Sequence, residues 1–232
     1  MIQAHPSRDV WATACADLLA EALITGLAEN GRAALAGAGG STPSPIYQRL
    51  GQAPLDWSNV TVTLVDERYV PESSPESNAA LLKRTLLTGP AAAAAFIPLY
   101  RNAVTVDRAA YLAARELQAA APRLDAVLLG MGEDGHIASM FPENPALKQL
   151  LALNNPPFVF HAPRSRSVLA PRQDRLSLNL PWFRDARRVV LAITGKTKRE
   201  VFEREAAGDP GVSPIAALVA SGAPLDVLWT EA

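Results

Sequence analysis

Four times along this chain a short apolar run breaks abruptly into glycine or charge. Ala33 to Ala36 lead into GAGGSTPSP, Val60 to Val65 into DERYVP, Asp125 to Leu129 into GMGEDGH, and Arg188 to Ile193 into TGKTKRE. Runs this short, bounded by turn residues, read as buried strands. Helical spacing fills the intervals between them, and strands alternating with helices predict an α/β fold. Its core is a doubly wound, mainly parallel sheet with helices on both faces.

Around those strands the remaining elements can be sketched. Ser7 can cap a helix that places Val10, Ala14, Leu18 and Ala22 on one stripe, with Gly31 as its stop. Further helices are expected over Ile46 to Leu50, Asn78 to Leu87, Val106 to Ala120 and Pro214 to Ala220, and one opening after Gly195. Phe96 to Leu99, Phe158 to Ala162 and Val227 to Trp229 read as strands, and Arg175 to Leu180 as an edge or mixed strand. The small residues after His136 have the look of a helix start, and Ala91 to Ala95 that of a bland spacer. No repeat and no Gly/Ser-rich or highly charged linker divides the 232 residues, so one domain is expected.

Charge and cysteine content narrow the function classes. A net charge of −1 gives no global attraction for nucleic acid or an anionic membrane, so any anion site must be local. Cys15 is the only cysteine, which excludes a disulfide framework and a thiolate metal cage; its place in a helical pattern suggests a buried small residue. The longest uncharged stretch, Thr85 to Tyr100, holds Gly89, Pro90 and Pro98 and makes a poor membrane helix. The N-terminal residues make a poor secretory signal, and a cytoplasmic location is expected.

Ligands of an open parallel sheet bind at the carboxyl ends of its strands, where Gly39 to Thr42, Asp66 to Arg68, Asp134 to His136 and Gly195 to Lys198 should meet. Gly39 and Gly40 let backbone amides approach an anion, and Ser41 and Thr42 add hydroxyl donors; an ordinary glycine turn would read the same way. The segment is neither a Walker A loop nor a GxGxxG fingerprint. Arg68 could pair with phosphate and Asp66 with a sugar hydroxyl or a basic partner, against the alternative of a surface salt bridge. Lys198 falls in the first turn of a helix, where the dipole disfavours a cation unless an anion binds there. Lys196 and Arg199 read as solvated.

His136 sits among glycine-flanked acids with no apolar stripe to bury it, suited to general-base work, with Asp134 near enough to orient it; a turn-capping histidine is the alternative. His5 and His161 lack such surroundings, and no HxxxH or Cys/His spacing supports a metal.

Taken together, GAGGSTP, LVDERYVP with the downstream Ser77–Asn78, LLGMGEDGHIASMFP and ITGKTKRE stand in the order found in 6-phosphogluconolactonases, which the chain resembles over roughly residues 30 to 230. The resemblance implies a Rossmann-like fold similar to glucosamine-6-phosphate deaminase. It also implies hydrolysis of 6-phospho-D-glucono-1,5-lactone with no metal and no organic cofactor. The partner would be a small phosphorylated sugar lactone, with no nucleic acid and no membrane; oligomeric partners stay open.

By the same resemblance His136 is the general base, Asp134 its partner, and Gly40, Ser41, Thr42, Arg68, Arg175 and Lys198 are phosphate or sugar contacts. Whether Asp66 or Asp134 governs His136 is left open. Ser177 and Ile137 stand where threonine is usual, and Phe141 where the related deaminases carry an acid. Arg164, Arg166 and Arg172 read as surface residues. The competing functions are a sugar-phosphate isomerase or deaminase and a non-catalytic sugar-phosphate sensor.

Overall fold

The computed structural model describes residues 2–103, 105–164 and 173–232. Seven strands form one parallel sheet: β1 (Ile2–His5), β2 (Ala33–Gly37), β3 (Val60–Leu64), β5 (Ala95–Phe96), β6 (Ala126–Leu129), β9 (Arg188–Thr194) and β10 (Leu225–Thr230). Their order is β1-β10-β9-β6-β2-β3-β5. The central strands β2 and β6 are buried along their whole length, which is why they read as unbroken apolar runs. From β2 the chain steps outward to β3 and β5, then returns to lay β6 on the other side of β2. That reversal opens a crevice at the carboxyl ends of β2 and β6, the place where doubly wound sheets bind ligands.

Helices flank the sheet. The longest, α1 (Arg8–Asn30), starts at Ser7, whose hydroxyl accepts the Val10 N–H, and stops at Gly31 with φ 67°. Its caps follow the sequence expectation, but its buried stripe does not: Trp11, Cys15, Leu19 and Leu23 face the sheet, while Val10 is 45% exposed. Most positions in this helix are small or apolar, so periodicity alone is a weak guide, and the bulk of Trp11 decides the rotation. Its indole N–H donates to the Leu228 carbonyl at 3.1 Å. Cys15 is fully buried and burial pushes its thiol up to about 12, as suits a packing residue. Although α1 is apolar and long enough to cross a membrane, it packs on five strands of the sheet.

The shorter helices are α2 (Ser44–Leu50), α3 (Asn78–Thr85), α4 (Val106–Ala120), α5 (Leu147–Leu151), α6 (Leu180–Arg184), α7 (Lys196–Ala206) and α8 (Pro214–Ala220). No helix begins after His136: Met131, Ile137 and Met140 pair through isolated bridges, folding this stretch into tight turns until α5. The alanine run is more than a spacer, since Ala91 is fully buried and Ala95 joins β5 against Thr61.

A second, three-stranded antiparallel sheet stands over the carboxyl edge of the first. It joins β4 (Asp66–Arg68), β7 (Val159–Ala162) and β8 (Arg175–Leu178). Asp66 to Arg68, expected as a loop, are thus a strand, and β8, expected as an edge or mixed strand, is the centre strand of an antiparallel sheet. Leu178 N–H donates to the Val65 carbonyl at 2.9 Å, which ties this sheet to the end of β3.

Candidate active site

Four adjacent strands, β9, β6, β2 and β3, end side by side, and the four polar segments expected there gather around one cleft of about 280 Å³. Gly39, Gly40, Ser41, Thr42, Asp66, Arg68, His136, Arg175 and Lys198 all line it; Asp134 lies behind His136. Arg175 reaches it from β8, the centre of the small sheet. Arg164 is exposed, and Arg166 and Arg172 lie outside the described residues.

The turn after β6 is built around the histidine. Gly132 N–H donates to the His136 carbonyl at 2.9 Å, closing the turn, and the His136 N–H donates to Asp134 Oδ1 at 3.2 Å. The same oxygen lies 2.5 Å from His136 Nδ1. A Cβ on Gly132 would fall under 3.0 Å from Nδ1, from Cε1 and from Asp134 Oδ1, so only glycine leaves room for the pair. Burial by itself would raise the Asp134 carboxyl, but its hydrogen bonds and charge contact with His136 outweigh that and hold it below the ordinary aspartate range.

Asp66 serves a different purpose. It is 6% exposed and accepts from the Ser139 hydroxyl at 2.6 Å, and its Oδ2 lies 3.5 Å from Arg175 Nη1. Ser177 Oγ accepts from the Ser139 N–H at 3.2 Å and donates to the Leu178 carbonyl at 3.0 Å. Asp134, not Asp66, is therefore the carboxylate on the imidazole, while Asp66 and Ser177 stitch the histidine-bearing turn onto β4 and β8. Ile137 is fully buried, so its apolar side chain belongs to the core.

Positive charge also lines the cleft. Arg68 faces Arg175 directly across the β4–β8 pair. Burial pulls the Arg175 guanidinium below its ordinary value; Asp66 opposes that and Arg68 adds to it. The Nε atoms of both arginines are buried without an acceptor among the described residues. Lys198, third residue of α7, is half-buried and makes no ion pair among the described residues. Burial lowers its ammonium below the usual lysine range, against the pull of Glu133 and Asp134. Lys196 is exposed as expected, whereas Arg199 pairs with Glu203 at 2.9 Å and lies 4.7 Å over the Trp229 ring.

Several contributors escaped sequence reading. Glu67 is fully buried and accepts N–H bonds of 2.8 Å from Arg68, Asn78 and Ala79, so it anchors β4 to the start of α3 and takes no part in the cleft. Asn78 lines the cleft and donates to the Asp66 carbonyl at 2.9 Å; its amide fills the space a Cβ on Gly39 would need. The pairing of Ser77–Asn78 with DER in the sequence was the available signal. His161, expected to lack acidic neighbours, lies 3.2 Å from Asp107 and 3.1 Å from Asp174, away from the cleft. Those partners are too distant in sequence to read. Among the described residues no three His, Cys, Asp or Glu side chains converge as metal ligands.

Known proteins resemble this chain along nearly its whole length. The family described as glucosamine-6-phosphate isomerases/6-phosphogluconolactonase matches residues 6–229. A 6-phosphogluconolactonase of Caulobacter vibrioides is 40% identical over 230 residues, covering 99% of this chain and 97% of its own length. One from Mesorhizobium japonicum is 39% identical over 232 residues, with 97% and 93% covered. The crystal structure of a 6-phosphogluconolactonase from Shewanella baltica superposes with a TM-score of 0.90 at 30% identity, covering 99% and 97% of the two chains. A match of this extent, with relatives this similar along their whole length, means that the chain belongs to the glucosamine-6-phosphate isomerase/6-phosphogluconolactonase family.

Proposed function

We propose that this chain hydrolyses 6-phospho-D-glucono-1,5-lactone to 6-phosphogluconate, the second step of the oxidative pentose phosphate pathway, with His136 as general base. The observation that carries the reading is a carboxylate-backed imidazole and a set of anion-seeking groups lining one cleft. Full-length relatives named as 6-phosphogluconolactonases support the same substrate.

Chemistry follows from the tautomer. With Asp134 on Nδ1, that nitrogen carries the proton and Nε2 is left as an acceptor. Nε2 takes a proton from water as the water oxygen bonds to the lactone carbonyl carbon, giving a tetrahedral oxyanion. Collapse of the oxyanion breaks the bond to the ring oxygen, which leaves as an alcohol after receiving the proton from the imidazolium. Asp134 stabilises that imidazolium in between. A positioned base contributes about 10²–10⁴-fold, enough for a lactone, an activated ester that needs no covalent nucleophile. Neither metal nor organic cofactor enters these steps.

Recognition of the phosphate falls to Ser41, Thr42, Lys198 and the two arginines. The amides of Gly40, Ser41 and Thr42 donate to no acceptor among the described residues, and the orphan guanidinium nitrogens add unmet donors. Binding far from the carbonyl fixes the orientation of the sugar. Deamination of glucosamine 6-phosphate is disfavoured because Phe141 cannot transfer protons. A cytoplasmic enzyme acting on a free small molecule completes the reading.

The test is hydrolysis of freshly generated lactone, corrected for spontaneous opening. The native protein accelerates lactone loss, and His136→Ala lowers kcat by about 10²-fold or more while product still binds. Near-normal turnover by the variant rejects the base assignment. Ammonia release from glucosamine 6-phosphate, or tight binding without turnover, would move the chain to another function.

A further inference from the structure

Two groups that face the cleft rest on one buried aromatic ring. Phe141 is 3% exposed and lies beneath the cleft wall. Its centroid is 4.2 Å from that of the His136 imidazole, the planes 35° apart, and Arg175 Cζ lies 5.3 Å from the same centroid. Filling volume does not require this arrangement, since leucine would do that. A π-face adds attraction for a guanidinium and for an imidazolium. Each client also needs a second constraint. Among the described residues the imidazole is tethered at Nδ1 alone, which fixes a pivot but not the plane that aims Nε2. Arg175 has Asp66 at 3.5 Å and an Nε without a partner among the described residues.

We propose that Phe141 is a positioning residue that sets the imidazole plane of His136 and seats the Arg175 guanidinium, keeping the base and an anion contact in register through a shared ring. This rests on the roles given to His136 and Arg175 above. Phe141 touches no substrate, so it acts on kcat through His136 and on KM through Arg175.

The experiment compares Phe141→Leu and Phe141→Tyr alone and Phe141→Leu combined with His136→Ala or Arg175→Ala. Loss of ring support should lower kcat by about tenfold and raise KM by about threefold in Phe141→Leu, small effects beside removal of the base itself. Phe141→Tyr, which keeps the ring, rescues most of both losses. In the Arg175→Ala background Phe141→Leu still lowers kcat but no longer raises KM. In the His136→Ala background it leaves the residual kcat unchanged. Equal, additive losses in every background, as from general loosening, overturn the proposal; so does a Phe141→Leu enzyme matching wild type in both constants.

Should Phe141→Leu fail to fold, the native protein still decides the geometry. The ring-proton NMR signals of His136, one of three histidines, should be displaced by the Phe141 ring current, and undisplaced signals overturn the stack. An inert Phe141→Leu beside an inactive His136→Ala removes this proposal and leaves the base assignment standing. An active His136→Ala removes the base assignment and the kcat half of the proposal with it.

Discussion

Gly132→Ala tests the proposed base and its carboxylate partner without deleting either member. The added Cβ would fall under 3.0 Å from His136 Nδ1, His136 Cε1 and Asp134 Oδ1, so these atoms must retreat by roughly an ångström to restore ordinary contact. A hydrogen bond of 2.5 Å cannot survive that retreat, and misplacement on this scale costs about 10²-fold in rate, or about 2.7 kcal/mol of barrier. Folding should be little affected, because Gly132 is not among the positive-φ glycines and alanine fits its backbone. The proposed phosphate contacts come from other strand ends, so KM should stay within about threefold. The assay is initial lactone loss at saturating substrate, corrected for spontaneous opening, beside a thermal melt of the same sample. A folded Gly132→Ala enzyme with kcat within about threefold of native would refute the reasoning, since it would mean that the pair is dispensable or the turn yields freely.

Two further substitutions probe the charges. Asp134→Asn should lower kcat by at least about tenfold by weakening support for the imidazolium, and it should also reshape acid stability. The Asp134 carboxyl is depressed in the folded state, so its stabilisation is present above the unfolded value of about 3.9 and is lost as pH falls through the folded value. Urea midpoints of the two proteins should therefore differ at neutral pH and converge in acid; a constant gap would contradict this. Lys198→Met should weaken substrate binding yet stabilise the empty protein slightly, because burial disfavours the ammonium and the cost applies below its depressed folded value. Solvent screening keeps that gain to about 0.5 kcal/mol or less, and a lowered melting temperature would count against it.

The parallel core was legible because strands buried on both faces cannot alternate: Ala126 to Leu129 and Val189 to Ile193 show only apolar side chains before their charged ends. Knowing where each run broke was enough to place Gly39 to Thr42, His136 and Lys198 around one cleft. The small sheet was not legible, because Asp66 to Arg68 have no apolar pattern and become a strand only by pairing with Arg175 to Ser177, far along the chain. β1 escaped for a related reason: Ile2 to His5 are a partly exposed edge, held by β10. The Asp134–His136 pair could be guessed from nearness in sequence. The Ser139–Asp66 bond, spanning 73 residues, could not. Nor does the sequence show that the space left by the missing Cβ of Gly132 is filled by the Asp134–His136 pair.

Arg68 and Arg175 stand opposite each other in an antiparallel pair, a placement that weakens a sheet when both residues carry the same charge. One carboxylate, Asp66, serves Arg175, while Arg68 spends its Nη1 on the neutral Glu76 carbonyl at 2.6 Å. Among the described residues no carboxylate pairs with the Arg68 guanidinium, so on the proposed function a docked phosphate ester would supply the missing partner. Occupancy and ruggedness would then rise together under mass action, and on that proposal substrate supply would protect the catalyst that consumes it.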